Sequence, residues 1–255
     1  MNLSSSAKAL YLHGLPGSAH ELSAALPKEV PGLAVLDRMG HAGSSFDEAL
    51  LASFDARVTA PLTLIGFSLG AMSALKLAAL RPQMVRRVLL LSPAAPLELG
   101  EFLPEMAGRA VFEAARQGRW ALAGLSMLQQ AAVTLAPQRL LTQMFSKSAD
   151  SERVLAGQAA FQQALLRSLR YCLVEHRAAY HRELLAYVRP WARDIDGLAC
   201  EVRIWHGDAD TWAPLAMGQA LRTQLSGRVE LHVCKGLGHF STLHQCLPVA
   251  LNAVM

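Results

Sequence analysis

The chain has 255 residues, with 24 Lys and Arg against 20 Asp and Glu, so its formal net charge is +4. Apolar residues make up 52% of it and charged residues only 17%, which excludes an intrinsically disordered chain. No uncharged apolar run reaches 18 residues, so the sequence predicts no membrane-spanning helix. The arginines are scattered and do not form the basic cluster that nucleic-acid binding requires. A chain of this length suits one or two domains that fold without disulfides or metals.

The cysteines and the start of the chain bear on its compartment. Cys172, Cys200, Cys234 and Cys246 are widely spaced and form no CxxC pair, so we expect small buried hydrophobes rather than disulfide partners. The residues before the first apolar run lack the basic and apolar regions of a secretion signal. The sequence therefore predicts a cytoplasmic protein.

Short apolar runs alternate with helix-like segments in the first third of the chain. The predicted strands lie at residues 9–13, 33–36, 62–65 and 85–91. The predicted helices between them lie at residues 18–26, 46–57 and 69–80. Glycine, proline and polar loops follow the strands, and Pro82 stops the third helix.

The strand signal stops after Ser92-Pro93 and does not return until about residue 190. Ala, Leu, Gln and Arg predominate between these points, and four apolar residues fall at helical spacing: Val154, Phe161, Leu165 and Leu169. We expect an all-helical insertion of four to five helices there. The alternation then resumes, with predicted strands at 202–205 and 229–234 and helices at 214–225 and from 240 onward.

This order of elements predicts the fold class. Strands that alternate with helices form a parallel sheet with helices on both faces. The class is therefore α/β, a doubly wound and mostly parallel sheet with an all-helical cap inserted after the fourth strand. We predict a core domain at residues 1–96 and 191–255 and a helical cap at residues 97–190.

A possible nucleophile follows the third predicted strand. Gly66-Phe67-Ser68-Leu69-Gly70 matches G-x-S-x-G and lies between an apolar strand and an Ala-rich helix, the context of a nucleophile elbow. The flanking glycines avoid clashes in a sharp, strained turn that exposes the serine hydroxyl. Ser68 is therefore the candidate nucleophile, and an ordinary glycine-rich strand–helix turn is the alternative.

A serine hydroxyl needs a general base, and the base needs a carboxylate that orients it. Of the nine histidines we choose His239, because it follows the last predicted strand on a glycine-rich loop and opens the last helix. Such a loop reaches the carboxyl edge of the sheet, where open α/β sheets bind ligands. Asp210, between the fifth strand and the next helix, is the candidate carboxylate, with Asp208 and Glu98 as alternatives.

With these residues in place, the chain resembles the α/β-hydrolase superfamily, in its branch with a helical cap. The resemblance rests on motifs in the family's order at residues 13–17, 37–40, 66–70, 206–214 and 238–240. The order Ser68, Asp210, His239 is typical of that fold. In the family the aspartate three residues after the glycine of a His-Gly-x-x-Asp stretch is the triad acid, which favours Asp210 over Asp208.

The resemblance also implies an oxyanion hole and a difference at one edge of the sheet. In similar proteins that begin with H-G-x-P, the hole uses the backbone N–H groups that correspond here to Leu15 and Leu69, and His13 is structural. Two preorganised donors of this kind stabilise the oxyanion of a tetrahedral intermediate. Family members commonly have two strands before the His-Gly stretch, so we expect this sheet to lack an antiparallel hairpin at one edge.

These features predict a serine hydrolase that cleaves a carboxylic ester, thioester or lactone through an acyl-enzyme. A carbon–carbon bond hydrolase, a non-hydrolytic receptor or lyase of the same fold, and a protein that binds partners through its cap are the alternatives. The sequence lacks HExxH, GxxxxGK[ST] and GxGxxG motifs, so it predicts neither a metal nor a cofactor.

The predicted cap is rich in Met and aromatic side chains, which suit a partly apolar small-molecule substrate. We expect most of its large apolar residues to pack the cap against the core. These residues are Met106, Phe112, Trp120, Leu125, Met127, Leu128, Met144, Phe145 and Phe161.

Overall fold

The computed structural model describes residues 7–26, 28–40 and 45–252. Within them six strands form one sheet in the order β2-β1-β3-β4-β5-β6, and every neighbouring pair is parallel. The strands are β1 (Ala9–Leu12), β2 (Leu33–Val35), β3 (Leu62–Phe67), β4 (Val85–Leu91), β5 (Glu201–Gly207) and β6 (Val229–Cys234). The predicted α/β class is confirmed, and no antiparallel strand joins this sheet among the described residues.

Helices cover both faces of the sheet. Successive strand side chains point to opposite faces, so each strand supplies apolar residues to both cores. Leu64, Val88 and Ile204 belong to the core on the face that carries α2, α3 and α10. Ile65 and Leu89 belong to the core on the other face, with α1 and α11. These helices are α1 (His20–Ala25), α2 (Phe46–Asp55), α3 (Gly70–Leu80), α10 (Leu215–Gln224) and α11 (His239–Asn252).

Residues 97–190, which we call the helical insertion, join β4 to β5. Six α-helices form in it, more than the four to five expected: α4 (Arg109–Gln117), α5 (Arg119–Leu135), α6 (Pro137–Phe145), α7 (Asp150–Ala156), α8 (Ala159–Arg170) and α9 (Arg177–Tyr187). Gly118 separates α4 from α5 at a φ of +116°, a conformation that glycine adopts readily. Pro137 begins α6 at once after α5, since proline suits a first helical position.

One expectation about the apolar residues of the insertion was wrong. Val154 does not share a helix with Phe161, Leu165 and Leu169: it is exposed on α7, while the other three are buried on α8. Most of the nine large apolar residues of the insertion are buried or partly buried, as expected, and three are largely exposed on α5: Trp120, Met127 and Leu128.

Buried polar contacts fasten the insertion to the core. The Arg38 guanidinium pairs with the Glu183 carboxylate of α9, with 2.7 Å between Nη2 and Oε1, and both side chains are buried. Tyr187, also on α9, donates a hydrogen bond from its hydroxyl to the Ala95 carbonyl at 2.8 Å. The insertion is therefore held through specific hydrogen bonds as well as apolar packing.

The cysteines follow the expectation in part. Cys172 and Cys246 are buried, whereas Cys200 and Cys234 are half-buried, and all four are free. The fold brings the Sγ atoms of Cys234, at the end of β6, and Cys246, on α11, to 3.2 Å. Across the described part of the chain, no helix is both long and apolar enough to pass through a bilayer.

Candidate active site

Ser68 lies in a tight turn between β3 and α3. Its backbone adopts a φ of +54°, which is costly for a residue with a Cβ. Three hydrogen bonds hold this turn: the Ser68 N–H donates to the Leu91 carbonyl at 3.1 Å, and the Ser68 carbonyl accepts from Ala71 N at 3.0 Å and Ala94 N at 3.1 Å. The surrounding backbone thus enforces the strained conformation that an elbow serine needs.

The two glycines of the motif allow the turn to pack against its neighbours. A Cβ on Gly70 would lie 2.1 Å from the Leu12 carbonyl oxygen of β1, and a Cβ on Gly66 would lie 2.8 Å from the Gly70 carbonyl oxygen. Both distances are too short for any side chain. The glycines are therefore required by the close approach of α3 to the strands.

Asp210 and His239 meet at the carboxyl ends of β5 and β6. The His239 Nδ1 atom lies 2.8 Å from Asp210 Oδ2, and both residues are buried. Asp210 Oδ1 accepts hydrogen bonds from Trp212 N at 2.8 Å and Ala213 N at 2.9 Å. The carboxylate is thus fixed on one oxygen by backbone donors while the other faces the imidazole, which leaves His239 Nε2 free for proton transfer.

The charges of this pair support each other. Burial disfavours both charged forms, but their mutual attraction and hydrogen bond outweigh it, so the pKa of His239 is raised above its usual value and that of Asp210 is lowered. His206, whose Nε2 donates to the Ala213 carbonyl at 2.7 Å, lies 3.7 Å from Asp210 Oδ2. Burial lowers the pKa of His206, so this neighbour favours the neutral form.

The two alternative carboxylates lie elsewhere. Asp208 accepts a hydrogen bond from Gly236 N at 2.7 Å and thereby supports the loop that leads to His239. Glu98 accepts hydrogen bonds from Trp191 N and Ala192 N, both at 2.6 Å, where the chain returns from the insertion to the core. Of the three candidates, only Asp210 contacts the histidine within the described structure.

Residues close to Ser68 in the fold contact His239. The ring of Phe67, next to Ser68, lies 4.8 Å from the His239 ring between centroids. Ser92 Oγ, from the end of β4, donates to the His239 carbonyl at 3.3 Å. Among the described residues, Ser68 and His239 share no direct hydrogen bond. Such contacts often form only when substrate is bound.

The predicted oxyanion loop packs directly against Ser68. A Cβ on Gly14 would lie 3.2 Å from Ser68 Cβ, so glycine lets this loop come close. The Gly14 N–H is engaged by a carboxylate, whereas within the described chain neither Leu15 N–H nor Leu69 N–H donates to a protein acceptor. These two donors therefore remain available for a ligand.

His13 supports this loop from below. It is buried, its Nδ1 donates to the Gly14 carbonyl at 2.7 Å, and its own carbonyl accepts from Arg38 Nη2 at 2.9 Å. Burial, helped by the nearby guanidinium, lowers the pKa of His13 to about 3. His13 is therefore neutral and structural at physiological pH.

Comparison with known proteins agrees with this geometry. The sequence model of the alpha/beta hydrolase family matches residues 9–250, which is nearly the whole chain. The chain belongs to the alpha/beta hydrolase family. No curated protein matches it significantly in sequence.

Solved structures resemble this alpha/beta hydrolase at low sequence identity. One is Est816, described as an N-acyl homoserine lactone degrading enzyme, at 21% identity and a TM-score of 0.58 over 97% of this chain and 91% of that one. Another is the serine hydrolase CCSP0084 from Cycloclasticus zankles, at 15% identity and a TM-score of 0.62 over 97% of this chain and 88% of that one. A third is the meta-cleavage product hydrolase CumD, at 17% identity and a TM-score of 0.65 over 100% of this chain and 92% of that one. At these identities the likeness establishes the fold.

Sequence reasoning missed a buried carboxyl group that bonds to the predicted oxyanion loop. Glu21 of α1 accepts hydrogen bonds at Oε2 from the Tyr11 hydroxyl at 2.8 Å and from Gly14 N at 3.1 Å. Burial raises the pKa of Glu21 to about 7, although these donors and the charges of Arg38 and His239 oppose the shift. Nothing in the local sequence marks Glu21, because its partners lie on β1 and on a loop.

A second missed carboxyl group belongs to the insertion. Glu152 of α7 accepts hydrogen bonds at Oε1 from Phe240 N at 2.5 Å and Ser241 N at 3.3 Å, in the first turn of α11. The adjacent Ser151 donates from its hydroxyl to the Gly236 carbonyl at 2.8 Å. Burial raises the pKa of Glu152 to about 7, and the charge of this carboxylate favours protonated His239. The insertion is thus hydrogen-bonded on both sides of His239, to the loop before it and to the first turn of α11.

Within the described residues, no cluster of three or more His, Cys, Asp and Glu side chains is arranged to hold a metal ion. A cavity of about 750 Å³ lies between α9 and residues 39–40 and 45–46, and its lining contains none of Ser68, Asp210 and His239. We therefore do not count this cavity as part of the candidate site.

Proposed function

We propose that the chain is a serine hydrolase that cleaves a carboxylic ester by acyl transfer, first to Ser68 and then to water. The observation that carries the proposal is the 2.8 Å contact between His239 Nδ1 and Asp210 Oδ2, at the sheet edge where Ser68 stands in a strained turn. A positioned carboxylate keeps the imidazole in one tautomer and stabilises it when it accepts a proton.

The steps follow from these positions. His239 Nε2 takes the proton of Ser68 Oγ as the oxygen attacks the ester carbonyl, and Asp210 stabilises the resulting imidazolium. The N–H groups of Leu15 and Leu69 hold the oxyanion, where losing one donor slows turnover by about 10²- to 10³-fold. His239 then gives its proton to the leaving alcohol and activates a water molecule that releases the acid from Ser68.

A partly apolar acyl or alcohol group would suit the surroundings of His239. The rings of Phe67, Trp212 and Phe240 lie 4.8, 6.4 and 5.3 Å from its ring between centroids. A thioester or lactone would use the same groups. In the proposal the helical insertion acts as a cap, which its contact through Glu152 to the histidine loop supports. The four free cysteines fit a reducing compartment such as the cytoplasm.

Hydrolysis of p-nitrophenyl esters of increasing acyl length tests the proposal, with the wild type beside Ser68→Ala. Ser23→Ala is the matched control, since Ser23 is an exposed serine whose hydroxyl donates a hydrogen bond to the His20 carbonyl at 2.7 Å. We expect turnover that Ser68→Ala abolishes and Ser23→Ala preserves. Undiminished turnover in Ser68→Ala would refute the assignment. Turnover of vinylogous 1,5-diketones but of no ester would identify a carbon–carbon bond hydrolase instead.

A further inference from the structure

Helix α5 presents an apolar face to solvent. Trp120, Met127, Leu128 and Leu135 are 77, 62, 69 and 82% exposed. At 3.6 residues per turn they fall within one sector of the helix, and the face extends for about 22 Å along its axis. The opposite side of α5 is the packed one, with Leu122, Ser126 and Val133 buried. We call these four exposed residues the α5 face.

A continuous face of this kind is unusual for a protein surface without a partner. Single exposed apolar residues are common, whereas large contiguous patches mark sites of interaction. The four residues lie on a helix of 17 residues whose other side is fixed in the insertion. The helix would therefore keep its shape while its outer side meets a partner.

The sequence segment that contains α5 carries only positive charges. Between Glu113 and Asp150 the chain contains no Asp or Glu, but it contains the cations Arg116, Arg119, Arg139 and Lys147. All four are exposed. The Arg119 guanidinium lies over the Trp120 ring at 4.7 Å from its centroid, so cation and aromatic ring stand together at one end of the face.

A further cation reaches the side of α5 from α9. Arg177 Nη1 donates to Gln130 Oε1 at 3.0 Å, and Gln130 belongs to α5. Long cationic side chains of this kind can lie along an apolar boundary and extend their charge outward. The α5 face is thus an apolar stripe with Arg119 at one end and Arg177 along one side, and Arg139 follows its other end by four residues in sequence.

These charges distinguish between occupants. A second copy that paired its α5 antiparallel with this one would place Arg116 and Arg119 at one end beside Arg139 of the copy, without a carboxylate from the segment between Glu113 and Asp150 to compensate. Like charges in register oppose such pairing. A surface with an apolar interior and anionic groups at its boundary would fit both the apolar residues of the α5 face and the cations beside them.

We propose that α5 docks the protein on the surface of an anionic lipid bilayer. The α5 face enters the boundary between headgroups and acyl chains, where Trp is enriched in membrane proteins, and the flanking cations contact lipid phosphates. This is binding in the plane of the membrane and requires no spanning helix. It is independent of the proposed hydrolysis, and its test uses no activity.

Flotation with vesicles tests the proposal, using phosphatidylcholine alone and an equal mixture of phosphatidylcholine and phosphatidylglycerol. We expect the protein to float with the mixed vesicles only and to be released as ionic strength rises. Leu128→Glu should abolish binding, and Arg119→Gln should weaken it by about fivefold. Val249→Glu is the matched control, since Val249 is 60% exposed on α11, outside the helical insertion.

Fluorescence provides a second readout on the unmodified protein. Trp191 and Trp205 are buried and Trp212 is half-buried, so Trp120 is the exposed tryptophan of the described chain. Mixed vesicles should shift its emission to shorter wavelength, and Trp120→Phe should remove the shift. Equal flotation with both vesicle types, or flotation that Leu128→Glu leaves intact, would overturn the proposal. A dimer that Leu128→Glu dissociates, without vesicle binding by the wild type, would identify a second copy as the occupant.

Discussion

The buried ion pair between core and insertion allows a sharp test of the packing argument. Arg38 and Glu183 make two hydrogen bonds, from Nη2 to Oε1 at 2.7 Å and from Nε to Oε2 at 3.2 Å, with both side chains 2% exposed. Arg109 and Glu113 are the same two residue types, joined by one hydrogen bond of 2.6 Å on the surface of α4, with side chains 54 and 42% exposed. We predict very different effects on stability when the carboxylate of each pair is removed.

The difference follows from what each variant leaves behind. Glu183→Ala leaves the Arg38 guanidinium buried without its counter-charge, which costs about 3–5 kcal/mol of unfolding free energy. Glu113→Ala leaves an arginine in water, so its cost should stay below about 1 kcal/mol. The double variant Arg38→Met/Glu183→Leu should recover most of the loss, because apolar side chains of similar volume need no counter-charge.

Urea unfolding followed by circular dichroism at pH 7 measures all four proteins, with added salt as a second condition. Salt should reduce the small Glu113 effect and leave the Glu183 effect nearly unchanged, since buried charges are poorly screened. Equal losses in Glu183→Ala and Glu113→Ala would refute the reasoning. So would a double variant as unstable as Glu183→Ala, since the cost would then lie in shape or in the lost hydrogen bond from Arg38 to the His13 carbonyl, and not in charge.

Four predictions concern the candidate site. Asp210→Asn should lower kcat/KM by about 10⁴-fold, because the imidazole loses the carboxylate that fixes its tautomer and balances its charge. Since the raised pKa of His239 keeps the base protonated to higher pH, kcat/KM should fall as pH drops through a value above 6.5. Glu152→Gln should move that limb to lower pH, and the exposed Glu105→Gln should not. Because the pKa of Glu152 is raised in the folded protein, Glu152→Gln should also gain stability relative to wild type as pH rises from 4.5 to about 7.

The sheet was predictable because its strands carry a strong local signal. β1 and β3 are buried along their whole length, so they appear as apolar runs, and the predicted strand ends differ from the observed ones by at most two residues. The Ser68 turn was predictable for a related reason. Close backbone contacts require its two glycines, Gly70 beside the Leu12 carbonyl and Gly66 beside the Gly70 carbonyl, and such requirements leave a pattern in consecutive residues.

The helical insertion was less predictable, because helix packing there depends on distant partners. Helical spacing placed Val154 with the buried residues of α8, yet Val154 lies on α7 and is exposed. On α5 the exposed and buried sides are both rich in apolar residues, so periodicity alone did not separate Leu128 from Leu122. Which side meets the core is decided by α4, α8 and α9, and their arrangement is not encoded in any single window of sequence.

The buried carboxyls around His239 show the same limit at the site itself. Asp210 was found because it lies in a short motif next to its strand, whereas Glu152 reaches the histidine loop from 87 residues away in sequence. Its Oε2 atom has no hydrogen-bond partner among the described residues, although it is buried. A carboxylate in that position is expensive unless a nearby positive charge compensates it. Protonated His239 is such a charge, so the acid–base behaviour of the candidate base depends on a residue that only the folded insertion supplies.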